Sequence, residues 1–236
     1  MNTTASPSWR TALLLALCLA PAVSAAVFYT SGTLDLPVPD DTDTGLVRTL
    51  EVADSFTVAS LTVSLNLSVP AGEIGWAGDL YAYLQHDTGF SVLLNRPGRT
   101  AGSPFGYADG QSLTISLRDD ATNGDLHTYR TALGGGALTG PLTGAWQPDG
   151  RTTDPASAVT GDPRTALLSQ FDGVNSAGTW TLFLADLSGG GRYQLNDWSL
   201  NLEGSPVPEP AVTVVTTSFL LTAWSLLRRR RGRLAT

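Results

Sequence analysis

The sequence predicts an all-β domain, a jelly-roll or Greek-key β-sandwich, bracketed by an export signal at each end. Three observations predict it. Apolar and polar residues alternate with a period of two along several segments of the central region, and a strand presents successive side chains to opposite faces. Helical spacing of apolar residues is absent from that region. The 25 glycines and 14 prolines fall largely between the alternating segments, where turns are needed.

The chain begins with a leader. Arg10 precedes an apolar run from Ala12 to Ala20, then Pro21 and the small residues Ala22-Val23-Ser24-Ala25-Ala26. This order is that of a secretory signal peptide, residues 1–25, cleaved after Ala25 or Ala26. The only cysteine, Cys18, lies inside it behind Leu17. A lipoprotein box would place a small residue there. The exported chain therefore has no disulfide and no thiol nucleophile.

The domain is expected over residues 26–204. In Ser60–Val69, residues Leu61, Val63, Leu65, Leu67 and Val69 form one face; Ser60, Thr62, Ser64, Asn66 and Ser68 form the other. Leu80–Leu84 and Phe90–Leu94 are shorter strands. Leu113, Ile115 and Leu117 repeat the alternation, as do Trp180, Leu182 and Leu184, and then Trp198, Leu200 and Leu202. Such strands make antiparallel sheets with one wet face, stacked as a sandwich. The matching phase of Trp180 and Trp198 predicts both in the core, each covering on the order of 150–250 Å². Residues 133–164, rich in Gly, Thr, Pro and Asp, read as loops that Trp146 pins to the core.

The last segment, 205–236, has three parts. Pro208-Glu209-Pro210 is followed by an uncharged run of 17 residues, Ala211–Leu227. Arg228, Arg229, Arg230, Arg231 and Arg233 then close the chain. As a helix the run spans roughly 26 Å at ~1.5 Å per residue, slightly short of a ~30 Å hydrocarbon core. The arginines are expected to stay in the cytoplasm, which puts the domain outside. This order resembles the PEP-CTERM sorting signal of exopolysaccharide-producing Gram-negative bacteria. The resemblance implies export through the Sec machinery, a transient inner-membrane anchor, and processing of the tail by an exosortase at the Pro208-Glu209-Pro210 motif. The protein would then reach the cell surface or the extracellular matrix.

Every basic residue is arginine. With Arg10 and the five tail arginines aside, eight face twenty acids, a formal charge of about −12 for the domain. Nucleic acid is excluded as a partner, since phosphates would be repelled. Residues for catalysis are sparse. His86 and His127 are expected on the surface, and adjacent His86 and Asp87 cannot form part of a triad, which holds a His between a Ser and an acid. The chain is expected not to be an enzyme. Calcium is the one cofactor to weigh. It takes about six to eight oxygens, which Asp40, Asp41 and Asp43, or Asp119, Asp120, Asn123 and Asp125, could begin to supply. Turn aspartates also bond their own backbone, so both readings stay open.

A second resemblance covers Thr33–Gly204. Gly178-Thr179-Trp180-Thr181-Leu182, then Leu195-Asn196-Asp197-Trp198-Ser199-Leu200, resemble the end of the P domain (homo B domain) of proprotein convertases. Leu36-Pro37-Val38-Pro39-Asp40 resembles its opening. Gly78-Asp79-Leu80, Leu93-Leu94-Asn95-Arg96, Arg118-Asp119-Asp120-Ala121 and Phe171-Asp172-Gly173 resemble its central motifs. Asp87 stands where that family usually has proline, and residues 133–164 are longer than its pattern. The resemblance implies a β jelly roll that in convertases follows and stabilises a protease domain. No such domain, and no Gly-Thr-Ser-x-Ala motif, is present in this sequence.

Three roles follow. The first is a non-catalytic surface or matrix protein. The second is a module binding an exopolysaccharide, another glycan or a surface protein, with Tyr81, Tyr83, Tyr107 or Trp146 grouped on one face. The third is an accessory domain for a separately encoded subtilisin-like protease.

Overall fold

The computed structural model describes residues 25–206. The leader, the Pro208-Glu209-Pro210 motif, the 211–227 run and the arginines from Arg228 to Arg233 lie outside the described residues. Among the described residues, no helix is long and apolar enough to cross a membrane.

Ten strands form two stacked sheets. They are β1 (Ala25–Thr30), β2 (Leu36–Pro37), β3 (Leu46–Val52), β4 (Phe56–Ser68), β5 (Leu80–His86), β6 (Gly89–Asn95), β7 (Leu113–Leu117), β8 (Leu142–Trp146), β9 (Gly178–Asp186) and β10 (Gln194–Pro206). The larger sheet has the order β1-β10-β4-β7-β8, with β2 also on β10. The smaller has the order β3-β9-β5-β6. Among the described residues there are also one short helix, α1 (Tyr129–Ala132), and three 3-10 turns.

The alternation in the sequence is what stacks the sheets. Leu61, Val63, Leu65 and Leu67 of β4 and Trp198, Leu200 and Leu202 of β10 point inward and are buried. They meet Leu80, Ala82 and Leu84 of β5 and Trp180, Leu182 and Leu184 of β9 in one apolar cluster. The polar residues between them on β4 face outward, half-buried or exposed. Trp180 and Trp198 are both 0% exposed.

The register fixes where the chain joins the sandwich. Ala25 of β1 pairs with Gly204 of β10, and Thr30 with Ser199. The two strands are antiparallel, so the start of β1 and the end of β10 lie together. This near pole also holds the 53–55 turn between β3 and β4, where Val52 pairs with Gly178. The far pole holds the loops 69–79, 96–112 and 187–193, beyond the other ends of β4, β5, β6, β9 and β10.

The structure corrects several expectations. The 133–164 stretch contains β8, which pairs in parallel with β7, Leu113 to Leu142 through Leu117 to Trp146. The larger sheet is therefore not wholly antiparallel. Thr143, Gly144 and Ala145 are too small to show a period, which hid the strand. Trp146 is buried in the core, its indole N–H donating to the Thr143 carbonyl at 3.0 Å. β4 begins earlier than its alternation, at Phe56, and β1 and β3 were not foreseen. Asp87 sits in the tight β5–β6 turn at φ 47°, a conformation closed to the proline of the resembling family.

Trp180 and Trp198 differ in one bond. Trp180 Nε1 donates to the Ser176 carbonyl at 2.9 Å, whereas Trp198 Nε1 is buried with no partner. Trp180→Phe strands a carbonyl; Trp198→Phe removes an unpaired donor. In urea unfolding, Trp180→Phe should cost more by roughly 1 kcal/mol or more. Equal costs, or the reverse order, would contradict this packing.

Candidate functional site

The outward positions of the two sheets differ in chemistry. On β4 they are Ser60, Thr62, Ser64, Asn66 and Ser68. On the smaller sheet they include Tyr81 and Tyr83 of β5, Phe183 of β9, Phe90 of β6 and Val47 of β3. Tyr83 pairs with Phe183, and Phe183 with Val47, across neighbouring strands. The Tyr83 and Phe183 rings stack at 4.8 Å with 13° between planes. Tyr81 meets both edge-on, at 6.1 and 6.2 Å from Tyr83 and Phe183, and Phe90 lies 5.1 Å from Tyr83. Gly45 seats this cluster: a Cβ there would come within 2.6 Å of the Phe183 ring.

Toward the far pole the aromatic face opens into a cleft of about 580 Å³. Tyr81, Tyr83 and Phe183 line it, with Asp43, Arg96 and the Asp154–Ala156 turn around its edge. That turn is tied down from behind. Arg99 donates to the carbonyls of Ala156 and Ala158, and Asp154 Oδ1 accepts the Ala156 amide at 2.8 Å. Burial, then the neighbouring Tyr83, Asp149 and Asp154, push the Tyr81 phenol above its ordinary pKa.

Behind the cleft lies a buried charge cluster. Arg96 takes φ 51° at the end of β6. Its guanidinium donates to the Gly78 carbonyl at 3.0 Å, Asp79 at 3.0 Å and the Ser188 hydroxyl at 2.8 Å. Asp186 is also buried here, 1% exposed. Its Oδ2 has no hydrogen-bond partner. Burial, reinforced by Asp79 and Asp40, pushes the Asp186 carboxyl up to about 7. Burial likewise raises Asp79, against the pull of Arg96.

Both histidines are buried, not on the surface as the sequence suggested. His86 stacks on Trp180 at 4.1 Å, and its two ring nitrogens face the carbonyls of Thr179 at 2.9 Å and Asn175 at 2.8 Å. His127 is 0% exposed. Its Nδ1 meets Asp149 at 2.8 Å and its Nε2 the Arg99 carbonyl at 3.0 Å. Both partners are acceptors, an arrangement that favours the protonated ring. Burial alone would lower its pKa; the Asp149 and Arg99 bonds overcome this and raise it. Arg151 bridges Asp149 at 3.0 Å and Asp125 at 2.7 Å. This network pins the 147–164 loop to the sheet edge. The ring nitrogens of both histidines thus face carbonyl or carboxylate oxygens, none of them a hydroxyl that a base could activate.

The structure separates the calcium candidates. Asp40 and Asp41 lie at the far pole; Asp40 accepts weakly from the Gly190 amide at 3.4 Å, and Asp41 packs beside Gly189. Asp119 and Asp120 follow β7 toward the near pole. Asp119 accepts the amides of Leu168 at 3.0 Å and Ser169 at 2.7 Å, and Asp120 is engaged by Arg118 at 2.5 and 2.6 Å. Among the described residues, no three acidic, histidine or cysteine side chains are gathered so as to hold a metal ion. Of the aromatics named from sequence, Tyr81 and Tyr83 share the exposed face. Trp146 is in the core, and Tyr107 is half-buried under Arg130, 4.5 Å above its ring. Phe183, Arg96 and Asp154 join the cleft from distant segments and had no local signal.

No family model matches the chain, and no curated protein matches it. Among solved structures, the complex of the Aeromonas sobria serine protease with the chaperone ORF2 is similar at 16% identity and TM-score 0.42. The match covers 80% of this chain and 28% of that one. The Aeromonas sobria serine protease alone is similar at 17% identity and TM-score 0.40, covering 79% of this chain and 28% of the other. The chain thus spans under a third of the length of the proteases it matches. A likeness at this level assigns no activity.

Asp186 yields a pH prediction. Its folded carboxyl keeps a proton up to about pH 7, whereas an unfolded aspartate releases it near 3.9. The folded state binds more protons in between, so this group's contribution makes stability fall as pH rises from about 4 to 7. Asp186→Asn should therefore stabilise the domain at pH 8, by roughly 1–3 kcal/mol, and have little effect at pH 4. A variant less stable than the parent at pH 8 would contradict the assignment.

Proposed function

We propose that this chain is an exported, non-catalytic β-domain protein of the cell envelope or extracellular matrix, carried outward on a removable C-terminal anchor. One observation supports this reading above others: β1 begins and β10 ends at the same pole. A leader before β1 and a membrane run after β10 then both depart from one end of the sandwich. The far pole and the aromatic face are left free to point away from a bilayer. The sequence supplies the rest of the argument. Pro208-Glu209-Pro210, the 211–227 run and the arginine cluster stand in the order of a PEP-CTERM-like signal, so exosortase-type processing near that motif is part of the proposal.

The finer fold assignment, a P-domain-like jelly roll, is supported by where its motif residues fall. Gly78-Asp79-Leu80 leads from a 3-10 turn into β5, Gly178-Thr179-Trp180 opens β9, and Leu195–Leu200 lies in β10. The role is that of a binding module. The cleft at Tyr81, Tyr83 and Phe183 favours it, because an aromatic groove with a polar rim is the usual make-up of a ligand site.

The test is fractionation of the native host envelope and mass spectrometry of the chain recovered. The expected mature protein begins at residue 26 or 27, lacks Arg228–Arg233, and is found at the surface or in the medium. A protein that retains Arg228–Arg233 in every fraction, or stays in the cytoplasm, overturns the proposal.

A further inference from the structure

The cleft's chemistry narrows its ligand. Resting on the reading of this face as a binding site, we infer that the cleft of Tyr81, Tyr83, Asp43 and Asp154 takes an uncharged polysaccharide segment and rejects uronate or other anionic polymers.

The aromatic rings supply the first part of the argument. Three of them sit on the outward face of a sheet, where the larger sheet carries serine, threonine and asparagine. Aromatic rings with a polar tip suit a ligand that is apolar on one side and hydroxylated on the other. A sugar ring has that character: its axial C–H groups form an apolar face, and its hydroxyls project from the rim.

The rim supplies the second part. Asp43 and Asp154 are exposed at the cleft edge. Ionised carboxylates only accept hydrogen bonds, and vicinal sugar hydroxyls donate. Asp154 keeps Oδ2 for this purpose, because Oδ1 alone is taken by the Ala156 amide.

Charge decides between classes of glycan. An anionic polymer needs a free cation, and the arginines here are engaged. Arg96 is held by Asp79, Ser188 and the Gly78 carbonyl, with 8% of its surface exposed. Arg99 is turned toward the carbonyls of Pro104, Ala156 and Ala158. The groups facing the ligand are thus two carboxylates and two phenols. The Tyr81 phenol is protonated at neutral pH, as tyrosines ordinarily are, and can act as a donor. A uronate would meet like charge at the rim; a neutral sugar would not.

The experiment is isothermal titration of the full-length chain with neutral hexasaccharides of glucose, xylose and mannose, and with a hexagalacturonate. At least one neutral hexasaccharide should bind and the galacturonate should not. Tyr81→Ala should weaken that binding about tenfold or more, and Asp154→Asn should weaken it without creating galacturonate affinity. Unchanged far-UV dichroism and a cooperative urea unfolding transition in each variant show that the sandwich stays folded; Phe183→Leu serves as a second ring variant should Tyr81→Ala unfold. Galacturonate bound as tightly as the neutral sugars, neutral binding unaffected by the ring variants, or no binding of any hexasaccharide to the folded chain overturns the inference. The export reading is measured separately by the mature termini, so a processed, surface-borne protein that ignores all these sugars sinks the ligand assignment alone.

Discussion

The pairing of β4 with β10 is the constraint on which the rest of the structure depends. Each is a 13-residue strand, and they run together from Gln194 beside Ser68 to Pro206 beside Phe56. They are the central pair of the larger sheet, with β1 and β2 hung on β10 and β7 on β4. Their inward side chains, Leu61 to Leu67 and Trp198 to Leu202, form one wall of the core. The register slips twice, at Leu195/Asp197 and at Glu203/Gly204. At the second slip only glycine fits, since a Cβ on Gly204 would lie 2.0 Å from the Thr57 carbonyl oxygen. Such bulges bend and twist a strand, here where β10 also receives β1. The partners lie far apart in sequence, Gln194 beside Ser68 and Pro206 beside Phe56, and non-local pairing of this kind slows folding.

Around this frame several arginines work inside the protein. Arg96 answers Asp79, Arg151 answers Asp125 and Asp149, and Arg130 grips Asp109 through two bonds of 2.7 Å. Asp109 also accepts the Tyr129 hydroxyl at 2.6 Å and the Leu138 amide at 2.9 Å. Burial pushes that carboxyl up, but these donors hold it below the ordinary range. Pairs of this kind knit the long loops to the sheets and leave an acidic exterior. The exterior in turn explains why the cleft on the smaller sheet lacks a free cation.

Much of the sandwich was legible because one face of each central strand is buried, so hydrophobicity must alternate. Ser60–Ser68, Leu113–Leu117, Trp180–Leu184 and Trp198–Leu202 all show it. The edge strands were harder. β8 passes through Thr143-Gly144-Ala145, and β3 turns Arg48 toward its half-buried side, so neither writes a clean pattern. The histidines misled for another reason. Their burial depends on Asp149, Thr179 and Asn175, which reach them from 22 to 93 residues away, and no local window contains such partners. The cleft was half visible. Tyr81 and Tyr83 share a face by strand geometry alone, but Phe183, Arg96 and Asp154 arrive through topology.

Native-state hydrogen exchange tests the central pairing most directly. Amides that open only by global unfolding exchange slowest. If β4 and β10 form the frame, the amides of 61–67 and 198–202 exchange together, at the slowest rate in the domain and at the free energy of complete unfolding. Exchange of 198–202 as fast as the 133–140 loop, with β5 and β9 still protected, would contradict the account.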